Sequence, residues 1–415
     1  MLAPLLRTAR SGQPTGLIDS ASLKRTFIPR LLPKNSTGGC VLVAIYRERS
    51  PPPPHLKLYM KTCKNIFPKV YDFDALYKSY YRARLGKRDR PSVQVFEQNL
   101  EGNLFELQNE LIWNQYQTSQ YHMFHVYEPK LRIVASLPFR DRVLQHALVS
   151  AIEPIWESRF IDHSYACRPG RGMHRGADTV QGMMRKVQRE HGQVYALKAD
   201  ISKYFASINH GILNKLKARY IACEATLDLC YEITGSTASS DELDPCGIPI
   251  GNLTSQLDAN IYLHELDNFA KHTLKARNYV RYMDDFVIIH HDKEYLAWAL
   301  AEMQVFLWDQ LRLQTNAKTQ VFPVSLKNGR GLDFLGYHIW PTHRRLRKSS
   351  IRRMHRSMRR FQRLYARGEI TLEEVNQTIS SWVAHAKHAD TEGLRKALLG
   401  KYSFKRQGLA CLKDL

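Results

Sequence analysis

The sequence predicts a fold of mixed helices and strands, either α/β or α+β. Short runs such as VYALKAD, YVRYM, FVIIH and FLGYHIW have the length and the β-branched and aromatic content of strands. Longer runs such as RVLQHALVSAIEPIW have the apolar spacing of helices. The two kinds of run alternate between about residues 121 and 340, so helices and strands are expected to pack in layers.

Residues 1–59 differ in character from the rest of the chain. They carry scattered Pro, Gly, Ser and Arg, and they contain the proline run SPPPPH at Ser50 to His55. Apolar periodicity is weak there, and prolines favour an extended spacer. We expect a Pro- and Arg-rich extension, either disordered or the product of an upstream start codon. The folded unit is expected to begin at Met60.

Residues 60–120 predict an N-terminal helical segment. Phe73, Leu76, Tyr77 and Tyr80 recur at helical spacing, and Gly86 can end that helix. A second helix is expected to follow. Its predicted apolar face is formed by Val95, Phe96, Leu100, Leu104, Leu107 and Leu111.

Two later stretches predict irregular structure. The segment Ile221–Pro245, with TGSTASSDELDPC, is typical of a variable loop. Asn328-Gly329 is a hairpin turn signal, and a strand from Phe334 to Trp340 is expected after it.

The chain after Trp340 is helical in pattern and very basic. Residues 341–367 hold eleven Lys or Arg and no acid. Ile351, Met354, Met358 and Phe361 fall at helical spacing, which predicts a helix with one apolar and one cationic face. The plain alternative is a solvated charged face. The uncompensated charge favours contact with a phosphate backbone.

Composition narrows the class of protein. The chain has 415 residues, of which 44% are hydrophobic, so it has enough apolar side chains for two or three folded domains. A net charge of +22 favours a polyanionic partner such as nucleic acid, although a generally basic protein would also fit. No apolar run is long enough to span a bilayer. The apolar stretch at the start of the chain, in MLAPLLRTAR, is too short for a secretory signal. We expect a soluble, cytoplasmic protein.

The seven cysteines are not spaced like a zinc site. They form no CxxC pair, and an odd count without metal spacing is typical of reduced thiols.

Two adjacent carboxylates lie in YVRYMDDFVIIH, Tyr279 to His290. The apolar runs on both sides predict a tight β-hairpin with Asp284 and Asp285 at its tip. A solvated Asp-rich turn is the plain alternative. The strongly apolar flanks favour a tip that emerges from a packed sheet.

A third carboxylate ends the strand-like run VYALKAD. If that strand pairs beside the hairpin, Asp200 joins Asp284 and Asp285 in a cluster that is too costly to ionise without cations. Oxygen-only ligands favour Mg²⁺, with Mn²⁺ as a substitute. Two such ions can activate an attacking hydroxyl and stabilise a leaving oxygen.

These motifs resemble those of reverse transcriptases. YMDD after an apolar strand, with DISKYF upstream, is similar to the catalytic centre of that family. EPKLRIVASLPFRDRVLQHAL, SYACRPGRGMHRG, GIPIGNLTSQ, NAKTQVF and DFLGYHIW resemble further family blocks in the same order. The resemblance implies a right-hand polymerase fold of class α+β. Its fingers would be residues 121–195, its palm 196–340 and its basic helical thumb 341–415.

The resemblance also implies an RNA-directed DNA polymerase, a nucleotidyltransferase that uses RNA template, DNA or RNA primer and dNTPs. GIPIGNLTSQ has Ile250-Gly251 and Ser255-Gln256 where many relatives have Gln-Gly and Ser-Pro. That variant, with the ending SWVAHAKHADTEGLRKAL, resembles the enzymes of diversity-generating retroelements, which are bacterial or phage-encoded.

Membership of that group would imply copying of a template-repeat RNA with errors opposite adenine, and replacement of a variable gene region by the cDNA. It would also imply a small basic accessory oligomer as a partner. Two alternatives stay open. One is another bacterial reverse transcriptase (retron, phage-defence or group II intron related). The other is a catalytically silent RNA-binding scaffold.

The resemblance assigns catalytic roles to a small set of residues. Asp200 and Asp284 would bind both metal ions and Asp285 would complete the site, with the carbonyl of Ile201 as an extra ligand. Lys318 in NAKTQ would donate a proton to departing pyrophosphate, although a surface lysine is an equal alternative.

Nucleotide and nucleic-acid contacts follow in the same way. Phe205 would be a steric gate against the ribose 2′-OH, or else a core phenylalanine. Ile250 would remove a polar check on the nascent base pair, or else pack a turn. Arg168 would grip the incoming triphosphate, with Arg171 as a weaker candidate. Lys130 and Arg132 would cover the triphosphate or the template, or else be solvated turn charges. Gly251 and Gln256 would be further nucleotide contacts. Nucleic-acid contacts would be Gly336, Arg352, Arg353, Arg356, Arg359 and Arg360. His385 and His388 are expected to pack or be solvated.

Overall fold

The computed structural model of the protein describes residues 62–127, 131–237 and 244–406. The chain divides into one unit from Met1 to Lys57 and a second from Leu58 to Leu415, and the described residues belong to the second. The expected extension at residues 1–59 and Lys130 therefore lie outside the described residues. Within the described ranges, no helix is both long and apolar enough to cross a membrane.

Helices open the described part of the chain. They are α1 (Pro68–Tyr71), α2 (Phe73–Arg84), α3 (Pro91–Gln98) and α4 (Leu100–Ile112). The side chain of Asp72 caps α2 by accepting from the Ala75 N–H at 3.0 Å.

The helix predicted after Gly86 is in fact two helices. Pro91 begins α3, and the backbone leaves the helical conformation at Asn99 before α4 starts. The helical period does not run through that break. Val95 is therefore 64% exposed, and α3 buries Val93 and Phe96 instead.

A small antiparallel hairpin and two long helices follow. The hairpin consists of β1 (His122–Val126) and β2 (Arg132–Ser136), with Phe124 opposite Val134. The helices are α5 (Phe139–Glu157) and α6 (Met173–His191). Most side chains of the hairpin are exposed, so it projects from the body that α5 and α6 help to form.

A four-stranded antiparallel sheet lies at the centre. Its order is β4-β5-β3-β6, formed by β3 (Tyr195–Asp200), β4 (Tyr279–Tyr282), β5 (Asp285–His290) and β6 (Gln320–Pro323). All its strand pairs are antiparallel, which makes the fold α+β rather than α/β.

Both faces of this sheet are covered, because side chains alternate along each strand. Leu197 and Phe286 point into one core, which is shared with α5 and the helices after β3. Ala196 and Val287 point into a second core, which is shared with α6. Burial on both faces explains why the strand sequences are almost continuously apolar.

Four further helices pack around the sheet. They are α7 (His210–Ala218), α8 (Glu224–Gly235), α9 (Leu253–Asn268) and α10 (Lys293–Leu311). Helix α8 corrects the expectation of a loop over Ile221–Pro245. Its polar outer side hides the helical spacing of Leu229, Cys230 and Ile233, which are buried.

A three-stranded antiparallel sheet and three helices end the described chain. They are β7 (Leu332–Phe334), β8 (Tyr337–Ile339), β9 (Arg344–Leu346), α11 (Lys348–Ala366), α12 (Leu372–Ala386) and α13 (Glu392–Gly400). The predicted amphipathic helix is confirmed as α11, which buries Met354 and Met358 against Leu398.

The strand expected from Phe334 to Trp340 is instead a hairpin. The chain reverses at Leu335-Gly336, where both φ angles are positive, as in the tightest hairpin turns. Asn328-Gly329 does not join a hairpin, because β6 before it and β7 after it lie in different sheets.

Candidate active site

The three aspartates come from neighbouring strands of the central sheet. Asp200, the last residue of β3, lies directly opposite Asp285 on β5. The β4–β5 turn is Met283-Asp284, with Met283 at a φ of 54°. Asp284 therefore occupies the hairpin tip, and Asp285 is already the first strand residue. Strand pairing thus places Asp200 next to the hairpin that carries Asp284 and Asp285, although the two segments are far apart in the sequence.

Partial burial and the repulsion of nearby charges perturb the carboxylates of Asp284 and Asp285. Burial, followed by the charge of Asp200, raises the pKa of Asp284 to about 6. Burial also raises the pKa of Asp285, against an opposing attraction from Lys198. Like charges in a partly buried site disfavour ionisation, and a bound cation would offset that cost.

One carboxylate oxygen of Asp285 is buried and has no hydrogen-bond partner within the described part of the chain. This oxygen is Oδ1, and the Nζ of Lys198 lies 3.8 Å away. That ammonium donates instead to the Asp333 carbonyl at 2.8 Å. Asp333 in turn accepts from the guanidinium of Arg347, at the start of α11. Lys198 thus connects the central sheet to the three-stranded sheet.

The donor set fits magnesium only in part. Among the described residues, no group of three or more His, Cys, Asp or Glu is arranged to hold a metal ion unaided. The hard carboxylate oxygens, the unbonded buried Oδ1 and the raised pKa of Asp284 nevertheless suit a divalent cation. Magnesium usually takes one or two carboxylates and completes its shell with water and substrate phosphates.

The backbone at Ile201 is held by hydrogen bonds on either side of it. The Asn316 N–H donates to the Asp200 carbonyl at 2.6 Å, and the Ser202 N–H donates to the Gln314 carbonyl at 2.9 Å. This pairing uses neither the N–H nor the carbonyl of Ile201. The Ile201 carbonyl, which the sequence analysis gives as an extra metal ligand, thus makes no hydrogen bond in this strand pairing.

Lys318 shares a cavity with two of the aspartates. The cavity measures about 1140 Å³ and is lined by Asp200, Asp285, Lys198 and Lys318, among others. Lys318 is exposed, and its backbone N–H donates to Asn316 Oδ1 at 3.0 Å. Further cationic lining comes from Arg330, Arg345, Arg347 and Lys348.

The segment around Ile250 is held between the hairpin β1–β2 and Phe205. The Ile248 N–H donates to the Phe205 carbonyl, and the Ala135 N–H donates to the Ile250 carbonyl, both at 2.9 Å. Phe205 is half-buried against the main core, and Ile250 is 39% exposed. Phe205 and Ile250, both predicted to contact the nucleotide, are therefore linked through the backbone of residues 248–250.

Gly251 is required by this arrangement. Its φ is 137°, and a Cβ there would overlap the Ala135 carbonyl oxygen. Gln256 lies exposed on the first turn of α9. Arg132 is exposed on β2, near enough to Asp284 to lower the pKa of that carboxyl slightly.

Arg168 does not occupy the predicted position for gripping a triphosphate. Its guanidinium is buried, pairs with Glu157 at 2.7 Å and donates to the Ile161 and Ser164 carbonyls. These bonds use the donors that a phosphate would need, so Arg168 instead braces the loop after α5. Arg171, the weaker candidate, bonds Asp162. The Gly- and Arg-rich sequence ACRPGRG does not distinguish the two roles.

The basic face of α11 borders a second cavity of about 1140 Å³. Arg352, Arg353, Arg356 and Arg359 line it together with Gly336, and Arg360 is exposed on the same helix. Gly336 has a φ of 90°, and a Cβ there would lie 3.4 Å from the His385 ring. The structure therefore places the six predicted nucleic-acid contacts on or beside one helix.

Two of the histidines pack, as expected. The His388 ring stacks on His174 with centroids 3.7 Å apart. The Tyr337 hydroxyl lies 2.9 Å from His385 Nδ1 and 3.0 Å from His174 Nδ1.

One known family matches the part of the chain that carries this candidate site. The family model described as reverse transcriptase (RNA-dependent DNA polymerase) matches residues 127–339, just over half of the chain. The chain belongs to the reverse transcriptase family. It is an RNA-directed DNA polymerase, and the matched residues include the three aspartates, the Ile250 segment and Lys318.

Relatives of this reverse transcriptase include bacterial proteins. Protein YkfC of Escherichia coli (strain K12) is 29% identical over 306 residues, which are 63% of this chain and 76% of YkfC. The group II intron-encoded protein LtrA of Lactococcus lactis subsp. cremoris is 24% identical over 276 residues. That match covers 51% of this chain and 44% of LtrA.

A solved structure of telomerase from Candida albicans, in complex with a TWJ fragment of telomeric RNA, also matches. It is 10% identical, covers 60% of this chain and 51% of that one, and has a TM-score of 0.40. That score is too low to indicate a shared fold.

The reverse transcriptase also relies on a residue that sequence reasoning passed over. Arg281 on β4 is fully buried and pairs with the equally buried Asp267 at 2.7 Å. It also donates to the Met283 carbonyl at 3.0 Å, which holds the turn that carries Asp284. An arginine inside the apolar run YVRYM was the available signal, because a buried charge implies a partner.

Proposed function

We propose that this reverse transcriptase copies the template-repeat RNA of a diversity-generating retroelement and misincorporates opposite template adenines. The cDNA would then replace a variable gene region. The observation that carries the proposal is the GIPIGNLTSQ variant together with its position. An apolar, partly exposed Ile250 lies between Phe205 and the β1–β2 hairpin.

The physical basis is the lack of a polar partner at position 250. A glutamine there would offer a hydrogen bond to the nascent base pair or its sugar, whereas isoleucine offers only shape. Pockets that lack such a bond discriminate weakly between similar ligands. Ile250 therefore removes one geometric check on pairing.

In this proposal the parts of the fold divide the work. The β1–β2 hairpin, α5 and α6 belong to the fingers, the four-stranded sheet to the palm, and α11 to α13 to the thumb. Arg132 contacts the triphosphate near Asp284, and Phe205 excludes the ribose 2′-OH. The arginines of α11 follow the backbone of the RNA–DNA duplex, whose recognition depends on shape and phosphates.

The reaction is transfer of a deoxynucleotidyl group to the primer 3′-OH with release of pyrophosphate. Asp200, Asp284 and Asp285 would hold magnesium, which when bound supplies positive charge at the reacting phosphate oxygens. Lys318, exposed in the same cavity, donates a proton to the departing pyrophosphate. Lys198 attracts the charge of Asp285 and so favours its ionised form.

Primer extension on a defined RNA template, followed by cDNA sequencing, tests this function. The wild type is expected to extend primers with Mg²⁺ and to err mainly opposite adenine. Ile250→Gln is expected to lower the adenine error rate severalfold. Ile250→Val is the matched control, because it keeps the side chain apolar and branched. An unchanged error spectrum in Ile250→Gln would contradict the role of Ile250.

A group II intron-related enzyme is the second candidate, favoured by the similarity to LtrA. It predicts no concentration of errors at template adenines. Sequencing the same cDNA distinguishes the two, since only the retroelement enzyme concentrates errors at adenine. A small basic accessory oligomer and a cytoplasmic location in a bacterium or phage host belong to the first proposal.

A further inference from the structure

Helix α10 is apolar on two opposite faces. Its inner face packs against the central sheet and α9. That face is formed by Leu296, Ala299, Met303, Leu307 and Leu311, all buried. Its outer face carries a second apolar stripe. We call the four residues Trp298, Ala301, Val305 and Trp308 the outer stripe.

The outer stripe is substantially exposed. Trp298 is 48% exposed, Val305 57% and Trp308 49%, and Ala301 is also exposed. The four residues follow one another at intervals of three, four and three, so they lie on one side of the helix. A helix that is apolar all round is normally covered on all sides. The outer stripe therefore has the character of a contact surface.

The positions of the four stripe residues are symmetric about Met303, and a tryptophan occupies each outer position. Trp298 and Trp308 are each five residues from Met303, and Ala301 and Val305 are each two residues from it. In two antiparallel helices that cross at this point, Trp298 of one copy faces Trp308 of the other. Ala301 then faces Val305, so a small residue meets a larger one. This self-complementarity is what a two-fold interface requires.

The charges at the two ends have the same symmetry. Glu294 and Arg312 are both exposed and are each nine residues from Met303. Arg312 lies beside the stripe, with its guanidinium 5.8 Å from the Trp308 ring centroid. Antiparallel pairing brings Glu294 of each copy to Arg312 of the other, whereas parallel pairing would bring like charges together.

We propose that two copies of this chain associate through the outer stripe, with their α10 helices antiparallel. The tryptophans are about 15 Å apart along the axis at 1.5 Å per residue, so each dimer contains two Trp–Trp contacts. No α10 residue lines either large cavity. Dimerisation therefore leaves the aspartates and the basic face of α11 accessible, and it does not depend on which RNA the enzyme copies.

The interface is small, because it is built on one helix from each copy. Interfaces near or below about 1,200 Å² are generally weak. We expect a dissociation constant on the order of micromolar, with aromatic residues carrying most of the affinity.

Sedimentation velocity of the full chain from about 1 to 100 μM, with RNA removed and in moderate salt, tests the proposal. The wild type is expected to shift from monomer to dimer over this range. Trp298→Glu with Trp308→Glu should raise the dissociation constant at least tenfold. Trp113→Glu is the matched control, because Trp113 is also exposed but lies at the end of α4, and it should leave the shift unchanged.

Charge reversal tests the orientation. Glu294→Arg alone and Arg312→Glu alone should each weaken the dimer, since each places like charges together twice. An equimolar mixture of these two variants should recover association, because both cross pairs are then opposite in charge. A wild type that stays monomeric throughout, or a dimer unchanged by the two tryptophan substitutions, overturns the proposal. Association of the single variants without recovery in the mixture overturns the antiparallel arrangement.

Discussion

Asp284 combines two properties that normally oppose stability. It lies half-buried at a hairpin tip, and both burial and the charge of Asp200 raise its pKa to about 6. A carboxylate in this position is costly to ionise, and that cost is what a bound cation relieves.

Removal of this charge should stabilise the protein. The pKa of Asp284 in the folded state lies above the ordinary value of about 4. Between these two pH values the folded state therefore binds more protons than the unfolded state. The free energy of unfolding falls as pH rises through this range. Without Mg²⁺, Asp284→Asn should be more stable than wild type at pH 8 by on the order of 2 kcal/mol. At pH 3 the difference should vanish. Urea unfolding at both pH values measures this.

The same substitution should abolish primer extension. Equal stability of the variant and wild type at pH 8 would show that Asp284 is not strained by its surroundings. Retained primer extension would remove it from the catalytic set.

Lys198 gives a second prediction at this scale. Its ammonium lies between Asp285 and the Asp333 carbonyl, so Lys198→Met should raise the pKa of Asp285 further and misplace it. We expect primer extension to fall at least about tenfold, as for other residues that orient metal ligands. Lys198→Arg should restore part of the activity because it keeps the charge. Full activity in Lys198→Met would mean that Asp285 needs no such partner.

At the residue scale, the apolar runs of the sequence predicted where the three aspartates lie on the strands. Asp200, Asp284 and Asp285 end or join apolar strands, and strand pairing then brings them together. Sequence reasoning failed for Arg168, because a guanidinium in a Gly-rich loop can bind either a phosphate or the loop's own carbonyls. It missed Lys198 and Arg281 because their partners, Asp333 and Asp267, lie on other elements.

At the scale of elements, the β4–β5 turn depends on a buried ion pair. Arg281 bonds Asp267 and the Met283 carbonyl with no exposure to water. Arg281→Met removes the charged partner of buried Asp267 and leaves it only the hydrogen bond from the Tyr279 hydroxyl, which should cost about 3–5 kcal/mol. Arg219→Met is the control, because its pair with Glu265 is partly exposed and should cost at most about 1 kcal/mol. Urea unfolding compares the two, and equal losses would contradict this account.

The Ile250 segment depends in the same way on Gly251. Gly251→Ala adds a Cβ that overlaps the Ala135 carbonyl at a φ that side chains disfavour. The melting temperature should fall by several degrees, which corresponds to roughly 1–3 kcal/mol. Gly182→Ala on α6 has open space around its Cβ and should be neutral or slightly stabilising. Similar melting temperatures for the two variants would mean that the segment shifts freely.

Element types were largely predictable from periodicity, whereas breaks within elements were not. Strands β3, β4 and β5 and helix α11 followed from their apolar patterns. The turn at Leu335-Gly336 and the break at Asn99 did not, because apolar residues continue on both sides of each. Helix α8 was missed since the polar residues near it are typical of loops.

At the scale of the whole molecule, part of the net positive charge is concentrated on α11. The exposed arginines of α11 border a large cavity, and no acid lies within residues 341–367. Each phosphate contact releases counterions, so affinity for an RNA–DNA duplex should fall steeply with salt.

Neutralising part of this surface should reduce that dependence. Replacing Arg352, Arg356 and Arg359 by Gln should lower the slope of log affinity against log salt by about two to three. Arg189→Gln, at the exposed end of α6, is the control and should change it little. Fluorescence anisotropy at several salt concentrations gives the slope. An equal slope in the triple variant would place the duplex elsewhere.

The backbone hydrogen bonds that hold the Ile250 segment have an evolutionary consequence. Main-chain hydrogen bonds to Phe205 and Ala135 hold its backbone, while the side chain at position 250 is 39% exposed. A change of that side chain therefore disturbs neither the fastening nor the packed interior. Mutation can therefore change the chemistry at this one codon while the surrounding backbone stays in place. Under the role proposed for Ile250, such a change would alter copying accuracy without a loss of stability.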